Sequence, residues 1–287
     1  MDSQTFDACR KTVQTPSGRI GYAETGDGPV ALFVHGVIVN AYLWRHQLAA
    51  LADMRRCIAV DLLGHGDSST MHADQDLSFN AQAAMLAQFL GALGIDTVDL
   101  VGNDSGTGIA QVFAVAHTDR VRSLTLTNGD VHDNWTPAAF TGFTDMVAAG
   151  GLADTIRGMA ADKAIFRNSL GASYEHADQV ADETIDAYLQ PYLHHSERLQ
   201  DLERFVLAFD NAQTTGIEGQ LKTLDVPTLV AWGTGDIFFD TTWSHWLADT
   251  IPGVRGRVEL DNGHLLFPEE RYDEFNQHLR NHFQSTM

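Results

Sequence analysis

The residue with the clearest chemical potential is Asp104, which lies at the centre of the run VGNDSGTG over residues 101–108. An apolar run precedes it and apolar residues at helical spacing follow it, so the pattern predicts a strand, a tight turn and a helix. Gly102 and Gly106 flank the central residue and let the strand and the helix approach closely. This arrangement predicts a nucleophile elbow, with Asp104 on a strained turn above the sheet.

An aspartate nucleophile limits the bonds that can be attacked. Its carboxylate is ionised at neutral pH and needs no general base, and a helix N-terminus favours the anion. Attack on a carboxylic ester would give a mixed anhydride, which is a poor route to hydrolysis. Attack on a saturated carbon that bears a leaving group gives an alkyl ester, which an activated water can hydrolyse to release an alcohol. A halide and the oxygen of an epoxide are both suitable leaving groups.

Two motifs near the end of the sequence supply the partners of such a nucleophile. GTGD ends at Asp236 and DNGH ends at His264, each after a predicted strand. We expect His264 to activate water, and Asp236 to orient the imidazole through a hydrogen bond and to stabilise its cation. No metal site is expected.

Strands alternate with helices along most of the chain. The predicted strands span residues 10–15, 19–24, 30–34, 57–60, 97–101, 121–126, 226–232 and 256–260, and the predicted helices span residues 42–51, 78–93, 109–116, 242–251 and 269–283. Apolar strands separated by helices imply a mostly parallel sheet covered on both faces. Over residues 132–215 this alternation stops and the composition is helical, which predicts a lid over the carboxyl ends of the strands.

Four motifs together resemble the α/β-hydrolase superfamily over nearly the whole chain. They are His35-Gly36, the run DLLGHGDS over residues 61–68, the elbow, and the pair of late motifs in the order that this fold uses. The resemblance implies an α/β-hydrolase fold, with a mostly parallel eight-stranded sheet flanked by helices. It also implies a core domain of residues 1–131 and 216–287, with residues 132–215 inserted as a helical cap. The backbone N–H groups of Val37 and Ser105 are the expected oxyanion hole.

With an aspartate at the elbow, the chain resembles the branch of the superfamily that contains haloalkane dehalogenases and epoxide hydrolases. The run YLWR over residues 42–45 also resembles dehalogenases. Because some dehalogenases take the acid from the strand predicted over residues 121–126, the resemblance implies Asp130 or Asn128 as the alternative to Asp236. Two positions depart from them: Ser105 replaces the tryptophan that usually follows the nucleophile, and Val37 replaces an asparagine. Epoxide hydrolases favour an aromatic residue after the nucleophile and a proline where this chain has Ile38.

Epoxide hydrolases also need lid tyrosines that protonate the opening ring. Tyr174, Tyr188 and Tyr192 are the candidates in this chain, and the last two belong to one apolar helical face. Pro191 is expected to kink or end that helix. The side chains predicted to bind substrate are His35, Trp44, Trp135, Tyr188 and Tyr192.

The leading hypothesis is therefore a hydrolase that opens an epoxide through an ester on Asp104. The alternative is a haloalkane dehalogenase, for which Trp44 or Trp135 would turn its indole N–H toward the nucleophile. A third hypothesis is a non-hydrolytic protein of this fold, either an isomerase or cyclase or a small-molecule receptor.

Composition limits the partners. The 287 residues include 38 acidic and 18 basic side chains, which gives a net charge of −20 and argues against nucleic acid and anionic membrane surfaces. Cys9 and Cys57 lack metal-ligand spacing and are expected to be free thiols in a cytoplasmic protein, since no signal peptide is recognised. The expected partners are an apolar small-molecule substrate and water, with no cofactor, and the expected assembly is a monomer or a homodimer.

Overall fold

A nine-stranded sheet forms the centre of the protein, which is described here by a computed structural model over residues 1–286. The strands are β1 Arg10–Thr15, β2 Gly18–Thr25, β3 Val30–Val34, β4 Arg56–Val60, β5 Ser69–Thr70, β6 Val98–Asp104, β7 Val121–Gly129, β8 Thr228–Gly233 and β9 Val254–Leu260. Their order in the sheet is β1-β2-β4-β3-β6-β7-β8-β9, and the two-residue β5 pairs with β2. The predicted mostly parallel sheet is confirmed, with β5 added to the eight-stranded path.

The pairing of the strands follows their apolar patterns. β3 and β6 lie in the middle, pair in parallel with each other, and are buried at every residue. Continuous apolar runs are what a parallel sheet covered on both faces requires. β9 lies at the edge and alternates between partly buried and exposed residues. The antiparallel strands β1 and β2 extend the opposite side of the sheet.

Helices flank this sheet. They are α1 Ser3–Ala8, α2 Arg45–Leu51, α3 Phe79–Ala92, α4 Ser105–Ala116, α5 Thr141–Ala148, α6 Leu152–Ala161, α7 Lys163–Ser169, α8 Asp182–His194, α9 Ser196–Leu207, α10 Ala212–Thr215, α11 Glu218–Leu221, α12 Thr241–Thr250, α13 Phe267–Glu270 and α14 Tyr272–Ser285. The α3 helix pairs with α4, and α2 pairs with α14. The helix predicted over residues 42–51 is instead a short 3-10 helix, Ala41–Trp44, followed by α2.

A helical insertion separates β7 from β8. It contains α5 to α11 and no strand between Gly129 and Thr228. Pro191 was expected to kink or end its helix; the α8 helix continues through Pro191 to His194, so the proline does not end it. Proline lacks only its own N–H, and neighbouring packing can retain the helix around it. No helix within residues 1–286 is long and apolar enough to span a membrane.

Candidate active site

The turn at Asp104 has the geometry of a nucleophile elbow. The β6 strand ends at Asp104 and α4 begins at the next residue. Asp104 has φ 56° and ψ −128°, a backbone conformation that residues other than glycine rarely adopt. A Cβ atom at Gly102 would lie 2.4 Å from the carbonyl oxygen of Gly106, and one at Gly106 would lie 2.2 Å from that of Val34. Both glycines are therefore required by the close approach of strand and helix.

Backbone N–H groups converge on the Asp104 carboxylate. The Val37 N–H donates to its Oδ2 at 2.8 Å, and the Ser105 N–H also stabilises the anion. Ile38 has φ 68°, and the Val39 N–H donates to the Val37 carbonyl at 2.8 Å, so a tight three-residue turn positions the first donor. Two N–H donors at this carboxyl group could stabilise an oxyanion formed when water attacks an ester of Asp104.

A second carboxyl group, that of Asp130, lies beside Asp104. Asp104 pairs with Gly129 across β6 and β7, so Asp130 follows immediately on the neighbouring strand. Burial raises the pKa of Asp104 to about 7, and the Asp236 carboxylate adds to this shift while the N–H donors oppose it. Burial also raises the pKa of Asp130 well above its usual range, with the charge of Asp104 as the second cause. Two adjacent buried carboxyl groups cannot both ionise freely.

The third carboxyl group, Asp236, is held by polar contacts from two sides. The Asn128 amide donates to its Oδ2 at 2.9 Å, and the Phe238 N–H donates to its Oδ1 at 2.8 Å. Burial raises the pKa of Asp236 to about 6, although these donors oppose the shift. The Asn128 side chain also donates a hydrogen bond to the Gly233 carbonyl and accepts one from the Gly233 N–H. It therefore connects β7 to the end of β8, just before the loop that carries Asp236.

Replacing Asn128 with alanine should therefore release Asp236 and destabilise the protein. Several buried polar groups would lose their partner, and we expect the free energy of unfolding to fall by about 2 kcal/mol. Thermal unfolding measures this loss. Asn134→Ala is a matched control because it removes a single bond to the same loop, at the Phe238 carbonyl. Equal stability of the two variants would contradict the prediction.

The imidazole of His264 forms its hydrogen bond with a group other than Asp236. Its Nδ1 lies 3.0 Å from the carbonyl oxygen of Ala172, in the inserted helical region, and the other edge of the ring packs against Gly235. No ion pair or hydrogen bond within residues 1–286 joins this imidazole to the carboxyl group of Asp236 or Asp130. The expected hydrogen bond between Asp236 and His264 is thus absent in this conformation, because the ring is engaged by the Ala172 carbonyl.

An apolar cavity of about 390 Å³ lies above Asp104. Its polar side chains include Asp104, Asp130 and Ser105, whereas most of its wall is apolar and comes from the helical insertion and from the loop after β8. The aromatic members are Trp135, Phe140, Phe143, Phe209, Phe238 and Phe239. Within the described chain, neither this cavity nor any other place gathers three or more potential metal ligands.

Of the five side chains predicted to bind substrate, only Trp135 lines this cavity. The phenol of Tyr188 donates to Glu269 at 3.1 Å, and that of Tyr192 donates to the Ile38 carbonyl at 3.1 Å. Tyr174 also donates to Glu269. The prediction that Tyr188 and Tyr192 face the nucleophile does not match the structure, because buried acceptors between the insertion and the core bind their hydroxyl groups.

His35 and Trp44 also lie away from the cavity. The Nδ1 of His35 contacts the Gly36 carbonyl at 2.7 Å, and its Nε2 accepts from the Leu62 N–H, so the ring is neutral. Burial lowers the pKa of His35 to about 4, which agrees with that state. Trp44 packs against Phe33 in the core. Both are structural, and the substrate contact predicted for them is not observed.

Several site features had no recognisable signal in the sequence. The phenylalanines of the cavity wall resemble ordinary core residues, and the positive φ of Ile38 is unusual for a β-branched side chain. The contact between His264 and the Ala172 carbonyl joins residues 92 positions apart. Only the interruption of the strand–helix alternation indicated that a separate helical region would cover the site.

The fold and the elbow together define the class of protein. Residues 29–271 match the family model described as the alpha/beta hydrolase fold, and the chain belongs to this family. It is 28% identical over 280 residues to haloalkane dehalogenase 2 of Mycobacterium tuberculosis, an alignment that covers 95% of this chain and 91% of that protein. It is 39% identical to epoxide hydrolase 2 of Siraitia grosvenorii over 114 residues, which cover 39% of this chain and 36% of that protein.

Solved structures share the same fold. The unliganded epoxide hydrolase CorEH superimposes with a TM-score of 0.81 at 19% identity, over 97% of this chain and 99% of that one. An ancestral haloalkane dehalogenase, AncHLD2, superimposes with a TM-score of 0.81 at 23% identity, over 96% of this chain and 99% of that one. The protein is thus an alpha/beta hydrolase with relatives of both kinds.

Proposed function

We propose that this protein hydrolyses epoxides through a covalent ester on Asp104. The observation that carries the proposal is the Asp104 carboxylate, held by the Val37 and Ser105 N–H groups at an apolar cavity. A carboxylate at an elbow can attack a saturated carbon, and the same N–H groups can stabilise the oxyanion of the second step.

The reaction proceeds in two steps. In the first, an Asp104 oxygen bonds to an epoxide carbon while the bond from that carbon to the ring oxygen breaks. In the second, water attacks the ester carbonyl and the diol leaves with the oxygen that Asp104 donated. His264 takes the proton of this water after its ring has left the Ala172 carbonyl, and Asp236 stabilises the resulting imidazolium.

Two features favour an epoxide over a haloalkane. Ser105 occupies the position after the nucleophile and has no indole N–H to hold a departing halide. A departing halide is a weak base and gains little from the Asp130 carboxyl group that lines the same cavity. A leaving oxygen, in contrast, gains from a nearby acid.

Haloalkane dehalogenation is the second candidate, and Trp135 supports it. Its side chain is 3% exposed and lines the cavity, and its indole N–H has no hydrogen-bond partner in the described chain. An unpaired buried donor is costly unless a ligand accepts from it. A halide, or the oxygen of an opening epoxide, is such an acceptor.

A single turnover in oxygen-18 water tests the mechanism. With excess enzyme and a phenyl-substituted epoxide, the label should enter the Asp104 carboxyl group and the first diol should contain none, because water attacks the ester carbonyl. Mass spectrometry of the peptide that contains Asp104 and of the diol measures both. A labelled diol from the first turnover would contradict the ester mechanism. Halide release from matching bromoalkanes, without diol formation from epoxides, would favour the second candidate.

A further inference from the structure

A proton donor to the leaving oxygen is required by the proposed function, on which this inference rests. An alkoxide in an apolar cavity is a poor leaving group, because neither water nor a cation stabilises it. The phenol of Tyr188 donates a hydrogen bond to Glu269, and that of Tyr192 donates one to the Ile38 carbonyl. Neither side chain lines the cavity. The donor must therefore be another side chain of the cavity wall.

The side chains of the cavity wall include one candidate for this proton donor. Among the described residues that line the cavity there is no tyrosine, histidine, lysine, cysteine or glutamate, and the ionisable members are Asp104 and Asp130. Serine and threonine hydroxyls and the Trp135 indole can donate hydrogen bonds, but they do not release a proton near neutral pH. Asp236 is not in the wall and is already bound by Asn128 and Phe238.

We infer that Asp130 is the general acid that protonates the epoxide oxygen while Asp104 attacks the ring carbon. Its side chain is 2% exposed and lines the cavity, and its backbone N–H lies 3.3 Å from the Asp104 carbonyl oxygen. No arginine, lysine or histidine forms an ion pair with it within residues 1–286. Among the described residues, the Ser105 hydroxyl is the group that stabilises a negative charge on Asp130.

The two carboxyl groups have different environments, and these assign different roles to them. Asp104 receives two backbone N–H groups, which favour its anion. Among the described residues, the Ser105 hydroxyl is the one donor to the Asp130 carboxyl group, which also faces the charge of Asp104, so Asp130 keeps its proton to a higher pH than Asp104. A pair of adjacent carboxyl groups that differ in this way provides a nucleophile and an acid.

The proton balance closes over one turnover. Asp130 transfers its proton to the ring oxygen as the carbon–oxygen bond breaks, which gives a hydroxyl group and a carboxylate. The hydrolytic water supplies two protons: one passes through His264 to the oxygen of the departing diol, and the other leaves the Asp104 carboxyl group and restores the carboxyl group of Asp130. Each cycle thus adds one water to one epoxide and leaves both aspartates in their initial states.

The test compares Asp130→Asn with Asp133→Asn, a neighbouring exposed carboxylate outside the cavity. Single-turnover formation of the ester from a phenyl-substituted epoxide is followed by intact mass. We expect Asp130→Asn to slow it by about 10²- to 10⁴-fold, whereas Asp133→Asn matches the wild type. Asp130→Glu keeps an acid and should recover part of the rate.

The pH profile gives a readout that a merely structural role would not change. The wild-type rate of ester formation should rise as Asp104 ionises around pH 7 and fall at higher pH as Asp130 loses its proton. Asp236 and His264, from the loops after β8 and β9, are the other titratable groups near this pair. In Asp130→Asn the fall at high pH should disappear while the rise remains.

Three outcomes overturn the inference, and they are distinguishable. In the first, the wild-type enzyme forms the ester and Asp130→Asn forms it at the same rate with the same pH profile. This result contradicts only the role of Asp130. In the second, the folded wild-type enzyme forms no ester with any epoxide. This result contradicts both the proposed function and the role of Asp130 as an acid. If Asp130→Asn does not fold, the infrared carbonyl band of the wild-type enzyme decides: the absence of a protonated carboxylic acid near neutral pH overturns the inference.

Discussion

Asp104→Ala should abolish turnover, with a loss of about four orders of magnitude or more, because no other side chain at the elbow can form the ester. Diol formation from a phenyl-substituted epoxide measures this loss, and intact mass should detect no adduct on the variant. Asp133→Asn, an exposed carboxylate outside the cavity, should retain full activity. Activity that survives in Asp104→Ala, or an adduct on Ser105, would contradict the assignment of the nucleophile.

Asp104→Asn separates loss of chemistry from loss of fold. The folded protein has a pKa of about 7 at this carboxyl group, compared with a usual value of 3.8, so ionisation on raising the pH costs stability. This cost is absent at acidic pH and increases between about pH 4 and pH 7. The asparagine variant should therefore gain thermal stability relative to the wild type across that window, although it is inactive. A stability difference that does not change with pH would contradict the raised pKa.

His264→Gln should trap the ester, because attack by Asp104 does not need the imidazole whereas hydrolysis does. We expect the hydrolytic step to slow by about 10³-fold. A stoichiometric adduct should then accumulate on Asp104, where peptide mapping would locate it. His278→Gln, in α14, is a suitable control and should leave no adduct. Rapid turnover by His264→Gln without an adduct would show that another group activates the water.

The elbow was predictable because its determinants are local. Gly102 and Gly106 are needed by contacts within a few residues of Asp104 and with the adjacent strand, and the flanking patterns identify both elements. The apolar face that carries Tyr188 and Tyr192 was also recognisable, and both side chains are buried as a helical period predicts.

The partners of these buried side chains were not predictable. Periodicity indicates which face of a helix is covered, but it does not identify the groups that cover it. Glu269 accepts from Tyr188 across 81 positions of the sequence, and Ala172 contacts His264 across 92. The same limit applies to Asp130. Its sequence position fits an acid partner for histidine, whereas the pairing of β6 with β7 places it beside Asp104.

The bond from Tyr192 to the Ile38 carbonyl has a consequence for protein engineering. Exchanging the helical insertion between relatives is an obvious way to alter substrate range, and it assumes that the insertion only shapes the cavity. Here Tyr192 of the insertion holds the turn that aims the Val37 N–H at Asp104. A chimera that lacks an equivalent hydroxyl would therefore change intrinsic reactivity together with selectivity. Transplants into this scaffold should retain Tyr192, so that the two properties can be varied separately.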